Sequence, residues 1–299
     1  MSRSDISAVI IALPIPVQQT IIRRCLAAGK HVLSEKPIAP DVATALELLR
    51  FYRTLGGDAN RRRPTWSVAE NQRFLTNFQR AATAVAARGR PQTFRVRIAN
   101  MVLPGGKYVE TAWRKSPGYQ GGFVLDGGVH HAAGLRLLLS GSGSEGKGGG
   151  EGEISELSAF SAQLQAHLTP LDTVVATART AGGAVGTISI SFGTMEEKAS
   201  EYVVGSEKGW VAIREFDRVV VDGETEDVDA EGGGVKREVR AWGAMLSEGQ
   251  GRGKKVNVNA ALEPEQALAD LELVEAMLKS AEGGGRVVKL QHQRVRIDG

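Results

Sequence analysis

The chain has 299 residues, 37 Lys and Arg against 34 Asp and Glu, a formal charge of +3 and one cysteine. That length supports one large or two medium domains with a real core, and the near balance of charge gives no electrostatic reason to expect nucleic acid or a membrane as partner. The single Cys25 excludes an intrachain disulfide and any multi-cysteine metal site.

In chain order, SAVIIALP is a continuous apolar run that suits a parallel strand buried on both faces. The longer stretch ISAVIIALPIPV is preceded by Asp5, is broken by two prolines and is too short to cross a bilayer, so a cytoplasmic location is expected. Residues 17 to 29 follow with helical spacing, carry Cys25 as a small buried hydrophobe and end at Gly29, a C′ glycine. HVLSEKP reads as a second strand, DVATALELLRFYRTLG as a helix capped by Asp41, and TWSVAEN as a third strand. This alternation predicts a parallel sheet with right-handed crossovers. Arg61-Arg62-Arg63, in the loop before the third strand, is too isolated for a nucleic-acid footprint.

From about residue 75 the pattern changes. A helix, LTNFQRAATAVAARG, precedes the alternating strand TFRVRIANM, a glycine- and aromatic-rich loop, and the helical VLDGGVHHAAGLRLLLSG. Then come ISELSAFSAQLQ, TVVATART, AVGTISISFGT, SEYVVGSEKGWVAIRE and RVVVDG, strand-like runs joined by short turns, which predict a mostly antiparallel sheet. A helix from Pro264, PEQALADLELVEAMLKSA, and a strand, RVVKL, complete the chain. GSGSEGKGGGEGE, DAEGGGVKRE and SEGQGRGKK read as mobile surface insertions. The first contains the letters of both G-x-G-x-x-G and most of a P-loop, but it follows a helix and opens none, so neither reading fits.

Two segments carry chemistry. In GGFVLDGGVHH, Asp126 and His130 are four apart and share a face if Asp126 opens the helix, with glycines allowing close approach of a ligand. A histidine whose tautomer is fixed by a carboxylate is a proton-transfer pair; the alternative is an Asp cap beside a satisfied histidine. His131 faces elsewhere and reads as structural, while His31, His167 and His292 have no recognisable partner in the sequence. Lys36, at the carboxyl end of the second strand, sits where open α/β sheets bind ligands, and Glu35 beside it is placed to orient its ammonium group.

AVIIALPIP, AAGKHVLSEKPIA, SVAENQRF and GGFVLDGGVHH, in this order, resemble the glucose-fructose oxidoreductase, inositol dehydrogenase and rhizopine catabolism (Gfo/Idh/MocA) family of NAD(P)-dependent oxidoreductases. WSVAENQRF and MVLPGGKYVETAWRKSPGYQGGFVLDGGVHHAAGLRLLL are similar to a fungal branch of it. The resemblance implies an α/β plus α+β fold, with a partial Rossmann parallel sheet at residues 1–75 and, at 76–299, a domain with a large open, mainly antiparallel sheet flanked by helices. The helix near 264–281 is expected to pack back on the first domain. It further implies NADP or NAD as cofactor, a hydroxy or oxo substrate of sugar, polyol or small carbonyl type, no metal, and a homo-oligomer formed through the large sheet. By position, Lys36, His130 and Asp126 would be catalytic; Pro14, Glu35, Lys36 and Asn71 cofactor-side; and Trp113, Arg114, Asp126 and His130 substrate-side. Family members begin with a strand, a glycine-rich turn, a helix and a second strand, two βα units of roughly 30 residues each, with no counterpart in this sequence. The expectation is therefore impaired dinucleotide binding and an apolar, unpaired outer edge on the first strand. A catalytically inactive relative, or a fragment acting as a binding or assembly module, is the alternative.

Overall fold

The computed structural model describes residues 3–56, 63–106, 108–140, 150–196, 200–228, 231–248 and 259–293. Residues 141–146, with the G-x-G-x-x-G letters, Arg61-Arg62 and most of SEGQGRGKK lie outside the described residues.

The first layer is β1 (Ala8–Ile11), α1 (Ile15–Ala27), β2 (His31–Ser34), α2 (Val42–Thr54) and β3 (Trp66–Val68). The three strands are parallel, in the order β1-β2-β3, as the alternating pattern predicted. Asp41 caps α2, accepting the Thr44 N–H at 2.7 Å. Among the described residues β1 pairs only with β2, and Ile10 on it is 56% exposed, as expected of an apolar edge strand.

A 3-10 turn at Asn71–Phe74 leads to α3 (Thr76–Ala87), β4 (Pro91–Ala99), the short α4 (Ala112–Lys115) and α5 (Gly122–Ser140). Helix α5 begins at Gly122, so Asp126 lies past the first turn rather than opening the helix. Strands β5 (Ile154–Ala162), β6 (Thr173–Thr180), β7 (Val185–Ser191), β8 (Ser200–Ser206), β9 (Gly209–Arg214), β10 (Arg218–Val221) and β11 (Glu224–Asp227) follow. After α6 (Val235–Glu248) come α7 (Pro264–Glu282) and β12 (Val288–Lys289). The large sheet runs β11-β10-β9-β8-β4-β7-β6-β5-β12, and only β4 and β7 pair in parallel. One face packs on α3, α5 and α7, and α7 also reaches α2, where Glu275 accepts the Val42 N–H at 2.7 Å.

Two elements depart from the sequence reading. The strand β11 was unread, although Asp222-Gly223, both at positive φ, form the turn that joins it to β10. DAEGGGVKRE is not wholly a surface insertion, because residues 231–234 form a 3-10 turn and 235–238 begin α6. Glycine and charge dominate its composition, yet Glu238, Trp242 and Met245 recur at helical spacing and are buried. With Leu33, Ala69, Phe74 and Leu262, the latter two form a second apolar cluster over the parallel sheet.

Candidate active site

The carboxyl ends of β2 and β3 bring two loops against one face of α5. After β2, Glu35, Lys36 and Pro37 turn across the sheet, with a cis peptide before Pro37. The buried Gln18 of α1 holds this turn from below, its Nε2 donating to the carbonyls of Glu35 at 2.7 Å and Pro37 at 3.1 Å. Lys36 Nζ thereby reaches α5, where it donates to Asp126 Oδ1 at 2.9 Å and to the Asp126 carbonyl at 2.8 Å. In an α-helix that carbonyl also receives the N–H of residue 130, so Lys36 is anchored one turn below His130. Glu35 does not orient the ammonium group as expected; its carboxylate accepts the Lys36 backbone N–H at 3.2 Å, and the orienting carboxylate is Asp126.

Arg114, from α4, takes the other oxygen of Asp126, its Nε lying 2.6 Å from Oδ2. The guanidinium is stacked 4.0 Å from the Trp113 ring centroid. Burial pushes the Asp126 carboxyl up, but the charges and hydrogen bonds of Lys36 and Arg114 outweigh it and hold the group below its ordinary range. Asp126 is ionised and bridged to Lys36 and Arg114, and the His130 Nδ1 contact goes to another carboxylate.

That carboxylate is Glu70, which the sequence reading passed over. It follows β3, caps the 3-10 turn by accepting the Gln72 N–H at 3.1 Å, and places the same Oε1 2.7 Å from His130 Nδ1. Burial raises its carboxyl, yet the charge and hydrogen bond of His130 overcome this and bring it down to about 2. An ionised Glu70 can only accept, so Nδ1 carries a proton and Nε2 faces outward. His130 is the most open of the central side chains, 27% exposed against 16% for Lys36, 18% for Arg114 and 5% for Asp126. The acid in SVAENQRF, at the carboxyl end of a parallel strand, was the available signal.

Buried ion pairs fix this frame. Arg73 in the 3-10 turn pairs with Asp270 of α7, which also takes Arg136 of α5 at 2.6 Å. His131 is structural, as read: its Nδ1 meets the Tyr202 hydroxyl at 2.7 Å, and burial followed by the charge of His130 lowers it to about 3, so it is neutral. Two of the histidines without a recognisable partner have one, His31 Nδ1 meeting Thr65 and His167 Nε2 the Val102 carbonyl, while His292 is tied to Glu272 through its backbone N–H. Gly127 serves packing rather than ligand approach, since a Cβ there would lie 2.7 Å from the Phe192 ring, whereas a Cβ on Gly128 would meet its nearest neighbour, Val274, at an ordinary 3.8 Å.

The residues match the two ends of a dinucleotide differently. Pro14 precedes α1, while Glu35 and Lys36 follow β2, and Lys36 is bound to α5, the helix that carries His130. Asn71 adjoins this region, but its Nδ2 donates to the Gly233 carbonyl at 2.6 Å and ties the 3-10 turn to the segment before α6. A phosphate cradle needs free N–H groups at a helix N-terminus. Pro16 has none at that of α1 and Val17 donates to Pro14, while Val42 and Thr44 at that of α2 donate to Glu275 and Asp41. Among the described residues, the N–H groups of Val17, Val42 and Thr44 at these two helix N-termini are therefore already spent within the chain. Likewise no group of three or more His, Cys, Asp or Glu is arranged to hold a metal ion, and no helix is long and apolar enough to cross a membrane.

Residues 1–57 match the model of an oxidoreductase family with an NAD-binding Rossmann fold, and residues 78–212 match the GFO/IDH/MocA C-terminal domain. A dehydrogenase of Fusarium mangiferae is 36% identical over 97% of this chain and 80% of its own length. Among solved structures, an oxidoreductase of Thermotoga maritima superposes with a TM-score of 0.79 at 30% identity, over 95% of this chain and 78% of that one. The WlbA dehydrogenase of Bordetella pertussis, solved with NADH and UDP-GlcNAcA, shares the fold with a TM-score of 0.74 at 20% identity, over 95% and 79%.

Proposed function

The chain belongs to the Gfo/Idh/MocA family of NAD-binding oxidoreductases, and from that premise we propose that Lys36 and His130 handle the proton of a hydride transfer between nicotinamide and a hydroxy or oxo compound. The observation that carries this reading is the Glu70–His130 contact, which directs Nε2 outward one helical turn from the Lys36 anchor.

The bound cofactor supplies or accepts the hydride. Everything else is work for this chain. In the reducing direction the His130 imidazolium gives the Nε2 proton to the oxygen of the reacting carbon; in the oxidising direction neutral His130 takes it back, with Nδ1–H fixed on Glu70 throughout. Lys36 has three N–H donors, two of them spent on Asp126, and the third polarises the same oxygen. Asp126 places Lys36, and Arg114 with Trp113 forms the adjoining wall toward the substrate. Proton transfer of this kind contributes about 100- to 10,000-fold in rate. Pro14, Glu35 and Asn71 border the nicotinamide side of the same space.

A sugar or polyol substrate is supported by the sugar nucleotide in the Bordetella structure. We divide the chain after residue 75, a division supported by the separate sheets and by the two family models. Self-association through the large sheet is supported by its open face, where the cross-strand neighbours Phe160 and Val175 are 67% and 46% exposed. A second reading, a binding or assembly module without turnover, is favoured only by the occupied helix N-termini. Fluorescence titration with NADPH and NADH, then absorbance assays over a panel of sugars, polyols and carbonyls, separate the two. His130→Ala is expected to cut turnover at least 100-fold; turnover within twofold of the parent would remove His130 from the mechanism.

A further inference from the structure

Helix α6 carries a buried acid that the reaction as derived does not use. Glu238 is 3% exposed, on the helix whose Trp242 and Met245 pack against Phe74 of the 3-10 turn, and its carboxyl faces the backbone of Glu70. Its Oε1 is buried without a partner, as is the indole Nε1 of Trp242 one turn further on. The charged groups around it come from three elements: Glu70 after β3, Glu35 after β2, and Arg73 in the 3-10 turn, whose guanidinium is engaged by Asp270. An ionised Glu238 would be a third carboxylate in this spot, buried and with one oxygen unsolvated, which is costly without a paired cation.

We propose that Glu238 is a positioning residue for the His130 pair, held as the neutral acid so that it braces the Glu70 backbone without repelling the Glu70 carboxylate. The brace fixes the backbone from which the Glu70 side chain reaches Nδ1, so losing it at Glu238 is passed to the hydrogen bond that selects the His130 tautomer. Burial, then the neighbouring Glu70 and Glu35, push the Glu238 carboxyl up to about 8. Above that pH the chain gains a negative charge against Glu70, and the acid–base pair loses its alignment. A glutamine would brace Glu70 equally well and would not titrate.

The inference rests on the reading of His130 as the acid–base group only in its kinetic consequence, so it is tested twice. Infrared spectra of the full chain without cofactor, taken across pH 6 to 10, are expected to show the carbonyl stretch of a protonated carboxylic acid. The band should disappear with a midpoint near 8 and be missing in Glu238→Gln. Absence of the band in the parent chain, or its persistence in the variant, overturns the assignment whether or not the chain turns over. In turnover assays the profile of kcat/KM against pH should fall above 8 in the parent and lose that fall in Glu238→Gln. Glu238→Leu, which removes the brace, should lower kcat at least tenfold with little change in KM. An alkaline fall that survives in Glu238→Gln overturns the proposal, while failure of all turnover counts against the oxidoreductase reading and leaves the infrared titration to decide Glu238.

Discussion

Glu70→Gln tests the contact on which the site turns, because it keeps the size of the side chain and removes only its charge. The native carboxyl lies at about 2 instead of 4.5. At about 1.4 kcal/mol for each tenfold, this contributes about 3 kcal/mol to stability at neutral pH. For a carboxyl depressed in the folded state, that contribution is complete above 4.5 and lost as pH falls toward 2, with about 2 kcal/mol of it gone at pH 3. Urea unfolding followed by tryptophan fluorescence from pH 7 to pH 3 measures it. The gap in stability between parent and variant should shrink by about 2 kcal/mol over that range. The kinetic cost should be modest. The Gln72 N–H, 3.1 Å from Oε1, keeps an oxygen turned toward Nδ1 in the variant, so the tautomer survives. Only the charge assistance is lost, about 1 to 1.5 kcal/mol, or roughly tenfold in rate. Parallel stability curves for the two proteins would refute the ion pair, and a Glu70→Ala variant as active as the parent would refute its orienting role.

Lys36→Met should abolish turnover, and pairing it with Asp126→Asn in a denaturation double-mutant cycle should return a coupling of about 1–3 kcal/mol for the bridge; additive effects would break the Lys36–Asp126 link. Gly127→Ala drives a methyl group into the Phe192 ring and should cost about 1–3 kcal/mol by thermal unfolding; an unchanged midpoint would show that the ring moves freely. Phe160→Glu places a charge on the open sheet face and should convert any oligomer seen by light scattering to monomer; an unaltered mass would exclude this face.

How much of this was legible in the sequence depended on whether periodicity or spatial neighbourhood carried the signal. The β-α-β-α-β layer was readable because each strand is a short apolar run punctuated by Pro37, Asp41 or Gly29. The positions of Lys36, Asp126 and His130 were readable as motifs, yet their pairing was not. The i,i+4 spacing on α5 suggested that Asp126 serves His130, whereas Lys36 arrives from 90 residues away and Arg114 from α4 to claim both oxygens. Glu70 serves His130 across 60 residues, a relation no local pattern encodes. Helix α6 was hidden by its own composition, since Lys236, Arg237, Val239 and Arg240 surround the one acid that turns inward.

The strand β4 sets how this chain must fold. Strands β5 to β7 and β8 to β11 are each hairpin-linked meanders that can pair locally, but β4 lies between them, parallel to β7 and antiparallel to β8. Thr93 meets Val185 and Ile98 meets Ser200, pairings roughly a hundred residues apart, so closing the sheet waits on long loop searches. Until β4 docks, each meander exposes a raw inner edge capable of pairing with a neighbouring chain. Phe94, Val96 and Ile98 are therefore where a substitution would slow refolding and promote aggregation out of proportion to the native contacts it removes.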